Sequence, residues 1–205
     1  MRSRVWILVA GVVVAGLAVG FFVTQYLNPT PGPISATSTS ATIQGRPVVN
    51  VTLTSVGAIG SGPHPNWVSY LPTTYINVPA GAVVHMTIDQ QDSASGLRNP
   101  YFGLVRGTID NQITVNGHVF KAIDPTTPAH TFTVPDLGVS VPLEGVADNA
   151  PANAQNVVEF SFIVPNQKGL FRWQCFVPCG GGYLYGNGGP MTTLGYMGGF
   201  LDVVA

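Results

Sequence analysis

The sequence predicts an all-β, Greek-key β-sandwich preceded by one N-terminal transmembrane helix. Three observations carry this. An uncharged apolar run fills residues 5–23. Beyond Arg46, short runs of strand length recur between clusters of Pro, Gly, Asn and Asp. No later stretch sustains a 3.6-residue apolar period over helical length.

The 205 residues suffice for one ordinary domain and a short anchoring segment. Only 8% of them are charged against 45% hydrophobic, the net charge is −1, and no basic cluster follows Arg4. Nucleic acid is excluded as a partner class, because phosphate binding needs a basic face. Gly and Pro are abundant but interleaved with runs rich in Val, Ile, Thr and Phe, a pattern of turns joining strands rather than of disorder.

Residues 1–27 read as a membrane anchor. At about 1.5 Å per residue, the apolar run approaches the roughly 30 Å hydrocarbon core of a bilayer. Arg2 and Arg4 precede it and nothing basic follows until Arg46, so the positive-inside rule expects a single pass through the cell membrane, with the N-terminus cytoplasmic and the domain extracytoplasmic. A cleaved signal peptide is the competing reading, although Thr24-Gln25-Tyr26-Leu27-Asn28-Pro29 lacks a small-x-small cleavage site. Residues 28–45, rich in Pro, Ser, Thr and Gly, read as a solvated linker.

In the expected domain, residues 46–205, strands are predicted at 48–53, 75–78, 83–88, 112–115, 130–134, 157–164, 169–175 and 199–204. The polar, alanine-rich stretch 147–156 reads as a loop or one helical turn. Alternation along Phe171-Arg172-Trp173-Gln174-Cys175 puts Phe171, Trp173 and Cys175 on one face, with Phe171 and Trp173 expected in the core.

The two cysteines, Cys175 and Cys179, form a C-x-x-x-C motif. In an exported chain that spacing suits a small disulfide; beside other ligands it suits a metal site. A Gly-rich excursion follows, containing Met191 and Met197, before the last strand. His130 opens its own strand upstream. Thiolate, imidazole and thioether together suit copper, since soft sulfur holds Cu(I) and imidazole tolerates both oxidation states. The other histidines read as structural: His64 in a Pro-flanked loop, His85 on a solvent face, His118 after an Asn-Gly hairpin turn. Asp89 and Asp92 read as turn and surface charges near Arg98. Tyr183 and Tyr185 offer an aromatic docking patch for a redox partner. No Ser/His/Asp order, phosphate loop or carboxylate pair indicates a hydrolase.

Several segments carry a family likeness: Val78-Pro79-Ala80-Gly81, His130-Thr131-Phe132 with Leu137-Gly138-Val139, Gly169-Leu170-Phe171-Arg172-Trp173-Gln174-Cys175, and Gly195-Tyr196-Met197-Gly198-Gly199. On these the chain resembles the cupredoxins, and within them the copper domain of cytochrome oxidase subunit II and the sulfocyanin and rusticyanin group. The resemblance implies copper as cofactor, with His130 as upstream imidazole ligand, Cys175 as thiolate and Met197 as weak axial thioether. Cys175-Phe176-Val177-Pro178-Cys179-Gly180 is similar to the motif of the binuclear centre, which adds Cys179. The chain departs from the family pattern in having no His after His130; Tyr183 stands where the binuclear pattern has one. The remaining donor sets are His130, Cys175 and Cys179 with Met197 or Met191, a set recruiting another His, or no metal at all.

The functional expectation is a membrane-anchored carrier of single electrons, or the subunit II-like component of a respiratory terminal oxidase. Its partners would be redox proteins or haem-bearing oxidase subunits, and the pattern suits an electron-transfer protein or oxidase subunit better than an independent enzyme. The alternative is a metal-free structural or interaction subunit with a Cys175–Cys179 disulfide.

Overall fold

The computed structural model describes residues 2–23, 32–180 and 188–205. It opens with helix α1 (Arg2–Phe22). Residues Val5–Phe22 of that helix have a mean hydropathy of 2.6 and none is buried, so by length and composition it is a segment able to cross a bilayer, as a retained anchor or a signal sequence.

Among the described residues thirteen strands follow: β1 (Ile34–Ser35), β2 (Thr37–Ile43), β3 (Arg46–Val56), β4 (Ser69–Leu71), β5 (Tyr75–Pro79), β6 (Val83–Gln90), β7 (Ile113–Val115), β8 (His118–Phe120), β9 (Pro128–Val134), β10 (Val139–Glu144), β11 (Asn156–Ile163), β12 (Gly169–Gln174) and β13 (Gly198–Val204). They form two sheets, one ordered β1-β5-β13-β12-β9-β10 and the other β2-β3-β6-β11-β7-β8 with β4 beside β3. The chain repeatedly changes sheet, which is the Greek-key sandwich the sequence predicts. Most pairings are antiparallel, but β3 runs parallel to β6, and β5 parallel to both β1 and β13.

All eight predicted strands are present, within three residues at their ends. Their alternation is real: Val49, Val51 and Leu53 of β3, and Val84, Met86 and Ile88 of β6, are buried, while the residues between face outward. His85 lies on that outer face, 3.0 Å from Ser161 Oγ, as expected. His118 is exposed in the β7–β8 hairpin, whose turn residues Asn116 and Gly117 have φ of 50° and 83°. Two positive values make the strand-matching turn that Asn-Gly favours.

The linker expectation is corrected at residues 34–43, which form β1 and β2 and extend one edge of each sheet. These strands are almost entirely exposed or half-buried, so a Ser/Thr-rich stretch joins the sandwich through main-chain pairing without apolar alternation. The strands β4, β8 and β10 were also unpredicted. In β10, Pro142 breaks the usual strand pattern, but β10 is an edge strand, where a missing N–H is tolerated. Residues 147–156 form turns and loop, up to the start of β11 at Asn156.

The core fills the space between the sheets. Phe132 of β9 packs on Trp173 of β12 with ring centroids 4.7 Å apart, and on Phe160 and Phe162 of β11 at 5.7 and 6.2 Å. Burying each such ring stabilises the fold by about 1.5–3 kcal/mol. Trp173 is fully buried, and its indole N–H donates to the carbonyl of Thr74 at 3.0 Å. Phe171 is half-buried against the same core. This rigid layer ends beneath Cys175, which follows β12 directly.

Candidate metal centre

At one end of the sandwich, β9 and the exit of β12 bring together the residues separated most widely in sequence. His130 lies on the interior face of β9, on the same side as Phe132 and Val134, and is fully buried. Cys175 is also fully buried, held by two main-chain bonds: its N–H donates to the Met197 carbonyl at 2.8 Å, and the following N–H of Phe176 donates to Thr131 Oγ1 at 2.8 Å. The Thr131 N–H points at Cys175 Sγ, 3.4 Å away. These contacts fix the thiol against the strand that carries His130.

His130 Nδ1 faces Cys175 Sγ at 3.9 Å, and Cys175 Sγ stands 3.5 Å from Cys179 Sγ. Both cysteines are free; a disulfide would need about 2.05 Å. Cys179 Sγ in turn lies 3.2 Å from Met191 Sδ. The imidazole nitrogen and the two thiol sulfurs all fall within 4.8 Å of one another. Two donors each 2.0–2.3 Å from a tetrahedral ion stand roughly 3.3–3.8 Å apart. The 3.5 Å between the two sulfurs falls in that range and the 3.9 Å from His130 Nδ1 lies just outside it, so the donor set fits a small thiophilic cation with a slight closing of the imidazole.

The two methionines are placed differently. Met191 is half-buried with its sulfur at Cys179, whereas Met197 is fully buried within the hydrophobic core, and it is its main-chain carbonyl that meets Cys175. Tyr183 and Tyr185 lie outside the described residues. His64 stacks on Trp67 with ring centroids 3.7 Å apart, and Trp67 meets Tyr196 edge-on at 4.8 Å.

Asp92 is the residue that sequence reasoning misread. It is more than a surface charge: it is partly buried, and its Oδ2 lies 3.0 Å from His130 Nε2. The signal was present in β6, whose inward residues are Val84, Met86, Ile88 and Gln90. Extending that alternation by two places Asp92 on the same side, at the sandwich end where His130 sits.

The charges of this cluster are coupled. Burial works against a charged His130, but the hydrogen bonds to Asp92 and Cys175 outweigh it and hold the imidazole pKa up at about 9. Burial likewise works against a Cys175 thiolate, yet the donors at Cys179, His130 and the Thr131 amide together pull Cys175 well below its ordinary value. The contact with Cys175, followed by burial, pushes Cys179 up. Asp92 is partly desolvated, which opposes ionisation, but the His130 contact keeps its carboxyl below the ordinary range. The shifts thus favour charge on Asp92, His130 and Cys175 and a neutral thiol at Cys179. Tyr70 closes one side: burial, then the nearby thiols, raise its pKa, and its hydroxyl donates to the Thr131 carbonyl at 2.9 Å.

No family model and no curated protein matches the chain. Among solved structures, it is similar to the metal-binding domain of the Cu(I)-exporting P-type ATPase CopA of Streptococcus pneumoniae D39, with Cu(I), at 10% identity and a TM-score of 0.38 over 85% of this chain and 97% of that one. It is similar to rusticyanin at 13% identity and a TM-score of 0.34, over 82% of this chain and 87% of that one. A blue copper oxidase of Nitrosomonas europaea matches at 11% identity and a TM-score of 0.30, over 75% of this chain and 43% of that one. At TM-scores this low, the fold assignment stands on the chain's own two sheets and strand order.

Proposed function

We propose that this chain is a cupredoxin-like copper protein carrying single electrons, tethered by α1 to the membrane with its sandwich on the extracytoplasmic side. The observation that carries the proposal is the pair of free thiols 3.5 Å apart, sharing a buried pocket with His130 Nδ1 and adjoining the Met191 sulfur. His130, Cys175, Cys179 and Met191 would hold the ion. Copper bound there supplies a one-electron couple, and sulfur donors favour its reduced state.

The chain's own contribution is a preset, dry pocket. His130 and Cys175 are fully buried and locked to adjacent strands through Thr131, so neither has to move far when charge changes at the site. Trp173, Phe132 and Tyr70 exclude water from below. A site that keeps its geometry through a redox change is suited to electron relay. We assign it to electron transfer with a redox protein or haem-bearing oxidase subunit as partner.

Copper analysis tests this directly. Reduced, metal-free protein incubated with Cu(I) and freed of excess should retain about one ion per chain, and mild oxidation should produce a sulfur-to-copper charge-transfer band. Protein that retains no copper, or shows no such band after oxidation, would sink the electron-carrier reading.

A further inference from the structure

We propose that Asp92 is a positioning residue for the metal centre: it selects which nitrogen of His130 faces the thiols and adds a negative charge behind that ligand. This rests on the copper reading above. Its basis is the geometry around one imidazole. A carboxylate can only accept, so Nε2, 3.0 Å from Asp92 Oδ2, is the nitrogen that carries a hydrogen. With Nε2 so engaged, it is Nδ1, the nitrogen facing Cys175 Sγ, that gives up its proton and offers a lone pair to a metal.

The local backbone is built to hold that carboxylate still. Its second oxygen, Oδ1, accepts from the Ser93 N–H at 2.9 Å, so both oxygens have fixed donors. The Asp92 carbonyl accepts from the Val146 N–H at 2.9 Å, tying the turn after β6 to the segment after β10. Gly57 leaves the room: a Cβ there would stand 2.7 Å from Asp92 Oδ1. The His130 side chain is fully buried while that of Asp92 is 25% exposed, so Asp92 is the outer member of a chain running from solvent to the thiols.

Charge and hydrogen bond have separable consequences. Asn at position 92 can still accept from Nε2 but lacks the charge; Ala lacks both. The negative charge favours the more highly charged Cu(II) over Cu(I), so its removal raises the reduction potential. Loss of the hydrogen bond frees the ring to turn or change tautomer, which weakens binding of either state.

The test compares wild type, Asp92→Asn, Asp92→Ala and Gly57→Ala by equilibrium Cu(I) competition against a chromophoric chelator and by redox titration of the loaded protein. For Asp92→Asn the preference for Cu(II) over Cu(I) should fall about tenfold, read as a potential about 59 mV higher. Asp92→Ala should in addition lose about 10–100-fold in Cu(I) affinity. Gly57→Ala crowds the carboxylate without altering its chemistry, and should move both readouts the same way by less. If Asp92→Asn and Asp92→Ala hold Cu(I) at wild-type affinity and potential, the positioning role is overturned. Should wild type itself bind no Cu(I), the copper reading fails first, and the role of Asp92 with it.

Discussion

The sulfur of Met191 lies 3.2 Å from Cys179 Sγ, while Met197, the methionine expected from the family likeness as the thioether ligand, is fully buried in the hydrophobic core. This separates the two methionines by measurable behaviour. Met191→Leu is expected to lower Cu(I) affinity about tenfold and leave the stability of the metal-free protein nearly unchanged. Met197→Leu conserves volume in the core and should cost less than about 1.5 kcal/mol with copper affinity intact. Competition titrations and urea melts of both variants check this; the reverse pattern would return the thioether role to Met197.

The free thiols make a second expectation. Reduced, metal-free protein should show two reactive thiols after denaturation, and copper-loaded native protein should show fewer, since Cys175 is buried and both sulfurs are taken up by the ion. A thiol count before and after loading reads it. An unreduced preparation with no thiols at all would mean that the pair oxidises before metal can occupy it.

The coupled charges predict how stability of the metal-free domain depends on pH. His130, raised from 6.5 to about 9, contributes stability that is complete below 6.5 and lost as pH rises through 9. Cys175, lowered, contributes stability that is complete above its ordinary 9.0 and lost as pH falls toward its folded value. Between 6.5 and 9 the two groups act on stability with opposite signs, His130 favouring lower pH and Cys175 higher pH, so the dependence there is flattened. Below 6.5 the His130 contribution is complete while that of Cys175 is lost as pH falls, so stability falls on acidification. Protonation of Asp92 adds to that loss at lower pH. Above 9 the raised Cys179 makes stability fall again. Urea melts from pH 5 to 10 should trace this plateau, and Cys175→Ala should abolish its flatness.

Trp173 supports the site from beneath. Replacing it with Phe keeps a ring in the core but removes the indole hydrogen bond to the Thr74 carbonyl, which still accepts from the Phe200 N–H at 3.0 Å, a loss of about 0.5–1.5 kcal/mol. Trp173→Ala should cost about 3–5 kcal/mol by leaving a cavity between the sheets. Denaturant midpoints of the metal-free variants measure both.

The sequence by itself determined the sandwich and the ends of its central strands. Val, Ile, Leu and Phe alternate in β3, β6 and β11 because each of these strands buries one face. It also identified His130, Cys175 and Cys179, since soft donors at the ends of strands are uncommon enough to stand out. Tertiary structure decided the remainder. The strands β1 and β2 carry no apolar alternation, because they are added through main-chain hydrogen bonds on open edges. Met191 meets Cys179 in space, and the Gly-rich sequence around it has no periodicity that could tell one methionine from the other. Asp92 lies 38 positions from His130, and only the packing of the turn after β6 against β9 turns an ordinary loop carboxylate into the partner of a buried imidazole.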